Sequence, residues 1–242
     1  MIELKNLTVR YPSITAVDDF SFRFDAGIIY GLVGPNGAGK STMIRAMIGQ
    51  IHQYSGEVLI NGQLLNRNRT LAKSLIGYAP EDTNLYPYLT AREYLSFILD
   101  IRKQVGQEER IEQTLNLLGL SDVSGEIVMR YSHGMRKKLS LAAALIADPE
   151  YIIIDEALNG LDPLTLFNVK SYLTNVSRNG KTVLLSSHIL ELVERWCDII
   201  LVMHCGKIRG RFTRADIETK TAQTGKSFNE LFIEMIRSDP DT

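Results

Sequence analysis

Residues 34–42 read Gly-Pro-Asn-Gly-Ala-Gly-Lys-Ser-Thr. Gly34, four residues, then Gly39-Lys40-Ser41 is a phosphate-binding loop pattern. Its surroundings narrow the fold further. A continuous apolar run, Ile28 to Val33, enters the loop, and an apolar helical stretch, Met43 to Ile48, leaves it. A buried strand turning through glycines into a helix aims several backbone amides, and the positive end of the helix, at one point. Lys40 adds a point charge for β- and γ-phosphates, and Ser41 a hard oxygen for magnesium. A loop of this kind sits at the carboxyl edge of a sheet with helices on its faces. On its own it says only that a nucleoside triphosphate binds.

The rest of the chain agrees with such a sheet. Leu4, Leu7 and Val9, then Phe20, Phe22 and Phe24, alternate as half-buried strands do. Glu57 to Ile60 runs into Asn61-Gly62, a hairpin signal because both turn positions favour positive φ. Thr90-Ala91-Arg92-Glu93 has the form of a capping box. Helical stripes follow at Leu95, Ile98 and Leu99, at Ile111, Leu115 and Leu118 (ended by Gly119), and behind Ser132 at Leu139, Ala142, Ala143 and Ile146. Strand and helix then alternate: Tyr151 to Ile154, Leu164 to Ser177, Thr182 to Ser186, Ile189 to Trp196, Ile199 to Met203. The expected fold is α/β: a P-loop NTPase core with a mainly parallel sheet, an N-terminal antiparallel β lobe and an inserted helical lobe. One domain of 242 residues is expected. Residues 1–85 and 148–236 would form the core and β lobe, 86–147 the helical lobe, and 237–242 a frayed tail.

Three further groups carry chemistry. Tyr151-Ile152-Ile153-Ile154-Asp155-Glu156 is an aliphatic strand ending in two carboxylates, costly to bury unless a cation or substrate occupies the site. One acid can orient a magnesium-bound water and the other can accept a proton from it. Tyr131-Ser132-His133-Gly134-Met135 marks a helix start where Ser132 can cap and a phosphate could bind; most such starts are only caps. His188 follows Ser186-Ser187 at a strand end, beside the two-carboxylate strand if strands are ordered as expected; a lone histidine is more often structural.

Taken in order, these pieces resemble the ATP-binding-cassette (ABC) ATPases from the first residues to about Ile236. GPNGAGKST looks like their Walker A, Asp155-Glu156 like the end of their Walker B with its catalytic glutamate, and YSHGM like their signature. Gly160-Leu161-Asp162 is similar to the D-loop, His188 to the switch histidine, and Ile76 to Glu81 to the Q-loop, while Tyr11 falls where an aromatic stacks on adenine. The resemblance implies ATP contacts from Tyr11, Val17, Gly34, Asn36, Gly37, Ala38, Gly39, Lys40, Ser41 and Thr42. A facing subunit would add Ser132, Gly134, Met135 and Asp162. It implies magnesium held by Ser41, Glu81 and Asp155, and catalysis by Glu156 and His188. It also implies hydrolysis of ATP at the cytoplasmic, inner face of the cell membrane, in a head-to-tail dimer (a homodimer is permitted) energising integral membrane transporter subunits. The phrase YSHGMRKKLSLAAALIADP and the segment Phe228 to Phe232 look most like a branch of drug, sodium and lantibiotic exporters.

The sequence departs from the family pattern at Glu81 (usually glutamine), His133 (glycine), Met135 (glutamine) and Ala157 (proline). Every group expected to do chemistry is present. Two other readings compete: a regulatory ATP-binding module that hydrolyses little, and an ABC ATPase with no transport role. No guanine-recognition motif supports a GTPase. The net charge of −1 gives no electrostatic case for nucleic acid as a partner. The longest apolar runs are strand-sized, well short of the ~20 residues of a membrane span. Cys197 and Cys205 do not form a disulfide framework, and His204 beside them is too little for zinc. Met43, Met47 and Trp196 read as packing residues; Arg67-Asn68-Arg69 and Arg136-Lys137-Lys138 read as solvated surface.

Overall fold

The computed structural model describes residues 1–237. It begins with three strands, β1 (Ile2–Tyr11), β2 (Ile14–Phe24) and β3 (Ile29–Val33), and the helix α1 (Lys40–Met47). β4 (Ser55–Ile60) and β5 (Gln63–Leu64) turn through Asn61 (φ 50°) and Gly62 (φ 77°), so the hairpin forms where the sequence places it. After α2 (Arg69–Leu75) and β6 (Ile76–Ala79) come three helices: α3 (Ala91–Ile101), α4 (Glu108–Leu117) and α5 (His133–Leu145). The chain returns through β7 (Tyr151–Asp155), α6 (Pro163–Arg178), β8 (Thr182–Ser186), α7 (Leu190–Trp196) and β9 (Ile199–His204). It closes with β10 (Lys207–Thr213), α8 (Arg214–Thr224) and α9 (Phe228–Arg237).

Two sheets result. The smaller is antiparallel, in the order β2-β1-β4-β5; the larger runs β10-β9-β3-β8-β7-β6. Within the larger sheet only β10 is antiparallel to its neighbour. β3, β7, β8 and β9 are buried at every position, because both faces are covered, which is why they read as unbroken apolar runs. One core cluster fills the space between the two sheets and includes α1, with Met43 and Met47 fully inside; the other lies across the opposite face with α3 to α7, and Trp196 packs against it.

β3 pairs with both β8 and β9, and β7 lies beyond β8. The carboxyl ends of β3, β7 and β8 therefore open side by side, which places the phosphate loop, Asp155-Glu156 and His188 on one edge. The three-helix segment is tied to the core through α5. Its backbone lies so close to β6 that a Cβ on Gly77 would sit 1.9 Å from the Ala144 carbonyl oxygen.

The structure adds elements that the sequence reading did not contain. α1 starts at Lys40 rather than Met43, so the phosphate-loop lysine and serine stand on its first turn. α2, β6, β10, α8 and α9 went unread. The expected frayed tail falls on 238–242, outside the described residues, apart from Arg237, the last residue of α9. Among the described residues no helix is long and apolar enough to cross a membrane.

Candidate nucleotide site

A cleft of about 740 Å³ opens at that sheet edge. Tyr11, Ile14 and Ala16 form one wall, Asn36 to Thr42 the floor, and Glu81, Glu156 and His188 the far side. The floor follows from the glycines. Gly39 has φ 99° and its α-carbon is pressed against the β1–β2 hairpin, where a Cβ would lie 2.0 Å from the Ala16 carbonyl oxygen. Gly39 is also the N-cap of α1, and it has no side chain to cap the helix, unlike Thr90, Ser132, Asp162 and Thr213 at α3, α5, α6 and α8. The first-turn amides of α1 thus face the cleft without a side-chain cap, as an anion site requires.

Lys40 is buried and folds back on its own loop. Its Nζ donates to the carbonyls of Gly34 (2.7 Å) and Pro35 (3.3 Å) and stands 3.7 Å from Glu156 Oε1. Asp155 is 1 % exposed; Oδ1 accepts from the Ser186 hydroxyl, and Tyr78 approaches Oδ2 at 3.5 Å. Burial, reinforced by that carboxylate, pushes the Tyr78 phenol up to about 12. Glu156 lies in the left-handed region at φ 56°, a conformation that costs about 1–3 kcal/mol in a non-glycine residue and collects at functional sites. Its amide donates to the Ser186 carbonyl at 3.1 Å, fixing β7 against β8 at the point where the acid projects. His188 Nδ1 lies 2.9 Å from Glu156 Oε2, with the ring largely exposed to the cleft.

Val17 must be corrected. It is fully buried opposite Val9, whereas Ile14 and Ala16 line the cleft, because neighbouring strand residues point to opposite faces. Gly34 lies behind the loop, against the Met203 backbone. Ser132, Gly134, Met135 and Asp162 do not line this cleft. Ser132 caps α5 through the Met135 amide (3.2 Å), and Asp162 caps α6 through the Thr165 amide (2.9 Å). The salt bridge from Lys138 (2.7 Å), more than these capping bonds, holds the Asp162 carboxyl well below the usual carboxylate range.

The basic run 136–138 is not solvated surface, as the sequence suggested. Arg136 donates to the Met129 carbonyl (3.0 Å), Lys137 to the Asn159 carbonyl (2.8 Å), and Lys138 pairs with Asp162. α5 presents one face to the loop that follows Glu156, and two consecutive lysines fasten it there. Their contacts are tertiary, so no local pattern signals them. Asn159, which the sequence analysis did not single out, donates to Glu156 Oε2 at 2.6 Å within the turn that follows β7.

A sequence model of the ABC transporter family matches residues 17–159. A solved structure of an ATP-binding subunit of an ABC transporter superposes with a TM-score of 0.89 at 31 % identity, over 97 % of this chain and 99 % of that one. The chain belongs to the ABC transporter family. The bacitracin transport ATP-binding protein BcrA of Enterococcus faecalis is 35 % identical over 86 % of this chain and 68 % of its own length. A dimeric bacterial ABC transporter cassette aligns at 26 % identity with a TM-score of 0.81, covering 88 % of this chain and 99 % of that one. This ABC chain is therefore an ATP-binding subunit.

Proposed function

We propose that this ABC subunit hydrolyses ATP with magnesium, as the energising half of a membrane exporter. The observation that carries the reading is the convergence on one cleft of the phosphate loop, a buried carboxylate 3.7 Å from Lys40, and His188 at 2.9 Å from that carboxylate. Tyr11, almost half exposed at the cleft mouth, stacks adenine. The α1 amides, Lys40 and Thr42 hold phosphate oxygens. Glu156 stands 3.7 Å from Lys40; a γ-phosphate held by Lys40 would compete for that ammonium and leave the carboxylate to accept a proton from water. His188 contacts the same phosphate.

The residues fit magnesium. Ser41 and Glu81 open onto the cleft with hard oxygens, and Asp155, the residue before Glu156, is a buried carboxylate just behind its lining whose Oδ2 has a long contact from Tyr78. Among the described residues no three His, Cys, Asp or Glu side chains form an ion site by themselves. The ion would therefore arrive with the nucleotide, Ser41, Glu81 and Asp155 holding it beside phosphate oxygens. When bound it supplies neutralising charge on the phosphates.

The start of α5 supports a dimer. Ser132, Gly134 and Met135 are built to receive a phosphate but lie outside their own cleft, so a second copy facing head to tail gives them one. The dimeric cassette similar to this chain favours a dimer as well. Glu81 borders both the ATP cleft and a neighbouring groove of about 590 Å³ lined by Tyr78, Leu85 and Tyr94, with Tyr86 and Tyr88 exposed beyond it. That groove is the proposed seat of an integral membrane subunit, with this chain on the cytoplasmic side of the membrane as the family resemblance implies. Export is favoured by the branch resemblance of the sequence and by the transport role in BcrA's name.

ATPase rate measured against protein concentration tests the proposal. The rate is expected to rise faster than linearly, and Lys40→Ala and Glu156→Gln are each expected to abolish steady-state turnover, the latter retaining tight nucleotide binding and a slow residual hydrolysis readable in single turnover. Normal hydrolysis by Glu156→Gln would overturn the site.

A further inference from the structure

The two oxygens of Glu156 are treated differently by the fold. Oε2 accepts from Asn159 Nδ2 (2.6 Å), from His188 Nδ1 (2.9 Å) and from the His188 amide (3.3 Å). Among the described residues Oε1 faces only the Lys40 ammonium at 3.7 Å, a contact that a bound phosphate would replace. Three donors on one oxygen lock the carboxylate's rotation and leave the other oxygen as the basic one.

Asn159 sits at the end of a tight turn, its amide donating to the Glu156 carbonyl at 3.2 Å, so its side chain folds back over the residue it holds. Its orientation is fixed by chemistry: with the amide reversed, its oxygen would face the carboxylate. As oriented, Asn159 Oδ1 points away from the carboxylate and is buried without a hydrogen-bond partner among the described residues. Asn159 is itself held from outside the turn. Its carbonyl accepts from Lys137 Nζ at 2.8 Å, and Lys137 lies on α5, the helix that starts at Ser132.

We infer that Asn159 is a positioning residue for hydrolysis: it pins Oε2 of Glu156 so that Oε1 is presented to the attacking water, and Lys137 sets Asn159 from the signature helix. The inference rests on Glu156 acting as the base. In the head-to-tail dimer it has a consequence for coupling. The Ser132 end of α5 reads the partner's ATP while Lys137, just over one turn along, adjusts the base of its own site, so occupancy of one site reaches the other through a single side chain.

The test uses the full chain with Asn159→Ala, Lys137→Ala and Lys137→Arg, alone and in a Glu156→Gln background. Asn159→Ala should lower kcat roughly 10- to 100-fold, the scale of a misplaced reacting group, with KM and the dissociation constant for ATP within about twofold of wild type. Lys137→Ala should move the same way, and Lys137→Arg, which can still donate to the carbonyl, should restore turnover. In single-turnover measurements Asn159→Ala should add no further loss to Glu156→Gln, because the group it positions is already gone. Multiplied losses in the double variant, or a weakened ATP affinity that accounts for the whole effect, would overturn the inference. Wild-type turnover by Glu156→Gln alone would instead remove its foundation, since no base would remain to be positioned.

Discussion

Asp155 shows how much a single buried acid needs from its neighbours. It is almost inaccessible, and the Ser186 hydroxyl is its one close donor. If Asp155 helps hold magnesium, that hydroxyl orients the carboxylate for the ion, and such outer partners typically contribute 10- to 100-fold in metal affinity. Ser186→Ala is therefore expected to weaken ATP binding about tenfold or more when magnesium is present and to leave it unchanged in excess EDTA, both read from the dissociation constant of a fluorescent nucleotide. Equal weakening in both conditions would place Ser186 outside metal binding. At this scale the sequence was legible wherever a motif fixes spacing along the chain. Lys40, Glu156 and His188 stand in motifs, and the fold brings them to one cleft. Val17 was misread because a one-residue shift along a strand reverses the face. Asn159 and Lys137 were invisible because their contact joins residues 22 apart through packing of a helix on a loop.

Elements carry two further tests. Asp162 caps α6, and its carboxyl, held low by Lys138 above all, is most stabilising when ionised. A depressed folded pKa gives stability that is present above the unfolded value, about 4 for aspartate, and is lost as pH falls through the folded value. Asp162→Ala should thus cost about 0.5–2 kcal/mol in denaturant melts at pH 7, the gap to wild type narrowing progressively as pH drops below about 4. A pH-independent gap would show that the charge is not the source. Gly77 on β6 poses a steric test. A Cβ there meets the Ala144 carbonyl at 1.9 Å and the Pro149 ring at 2.7 Å, so Gly77→Ala must push α5 from the sheet. Overpacking of this kind costs about 1–3 kcal/mol, and, because Lys137 on α5 also donates to the Asn159 carbonyl, ATPase activity should fall at temperatures where denaturant melts show Gly77→Ala still folded. The elements missed from sequence had readable starts. α8 opens with Thr213 and Asp216 in a capping box and α9 with Ser227 bonded to the Glu230 amide. α8 buries only Ile217, though, so it lacks the apolar stripe that makes a helix legible. β10 alternates weakly because most of its residues are only partly covered.

For the whole molecule the deciding observation is that the start of α5, with Ser132 and Gly134, lies outside the phosphate-loop cleft proposed for ATP. A lone chain that binds ATP gains stability by mass action, about 2.7 kcal/mol at a ligand concentration 100-fold above the dissociation constant. For a chain of this size that raises the melting temperature by roughly 5–10 °C, independent of protein concentration. If a second copy supplies Ser132 and Gly134 to each bound phosphate, the stabilised species is a dimer and the shift acquires a dependence on protein concentration. Wild type would hydrolyse its way out of that state during the scan, whereas Glu156→Gln would remain in it. Melting of Glu156→Gln with ATP and magnesium is therefore expected to move upward with each increase in protein concentration, and melting without nucleotide to stay fixed. Ser132→Arg, which crowds the start of α5 but leaves the cleft intact, should keep the constant shift from ATP binding and lose the concentration-dependent part. A concentration-dependent shift that survives in Ser132→Arg would mean that the copies meet through some other surface, and the composite site would have to be abandoned even with ATP binding and hydrolysis intact.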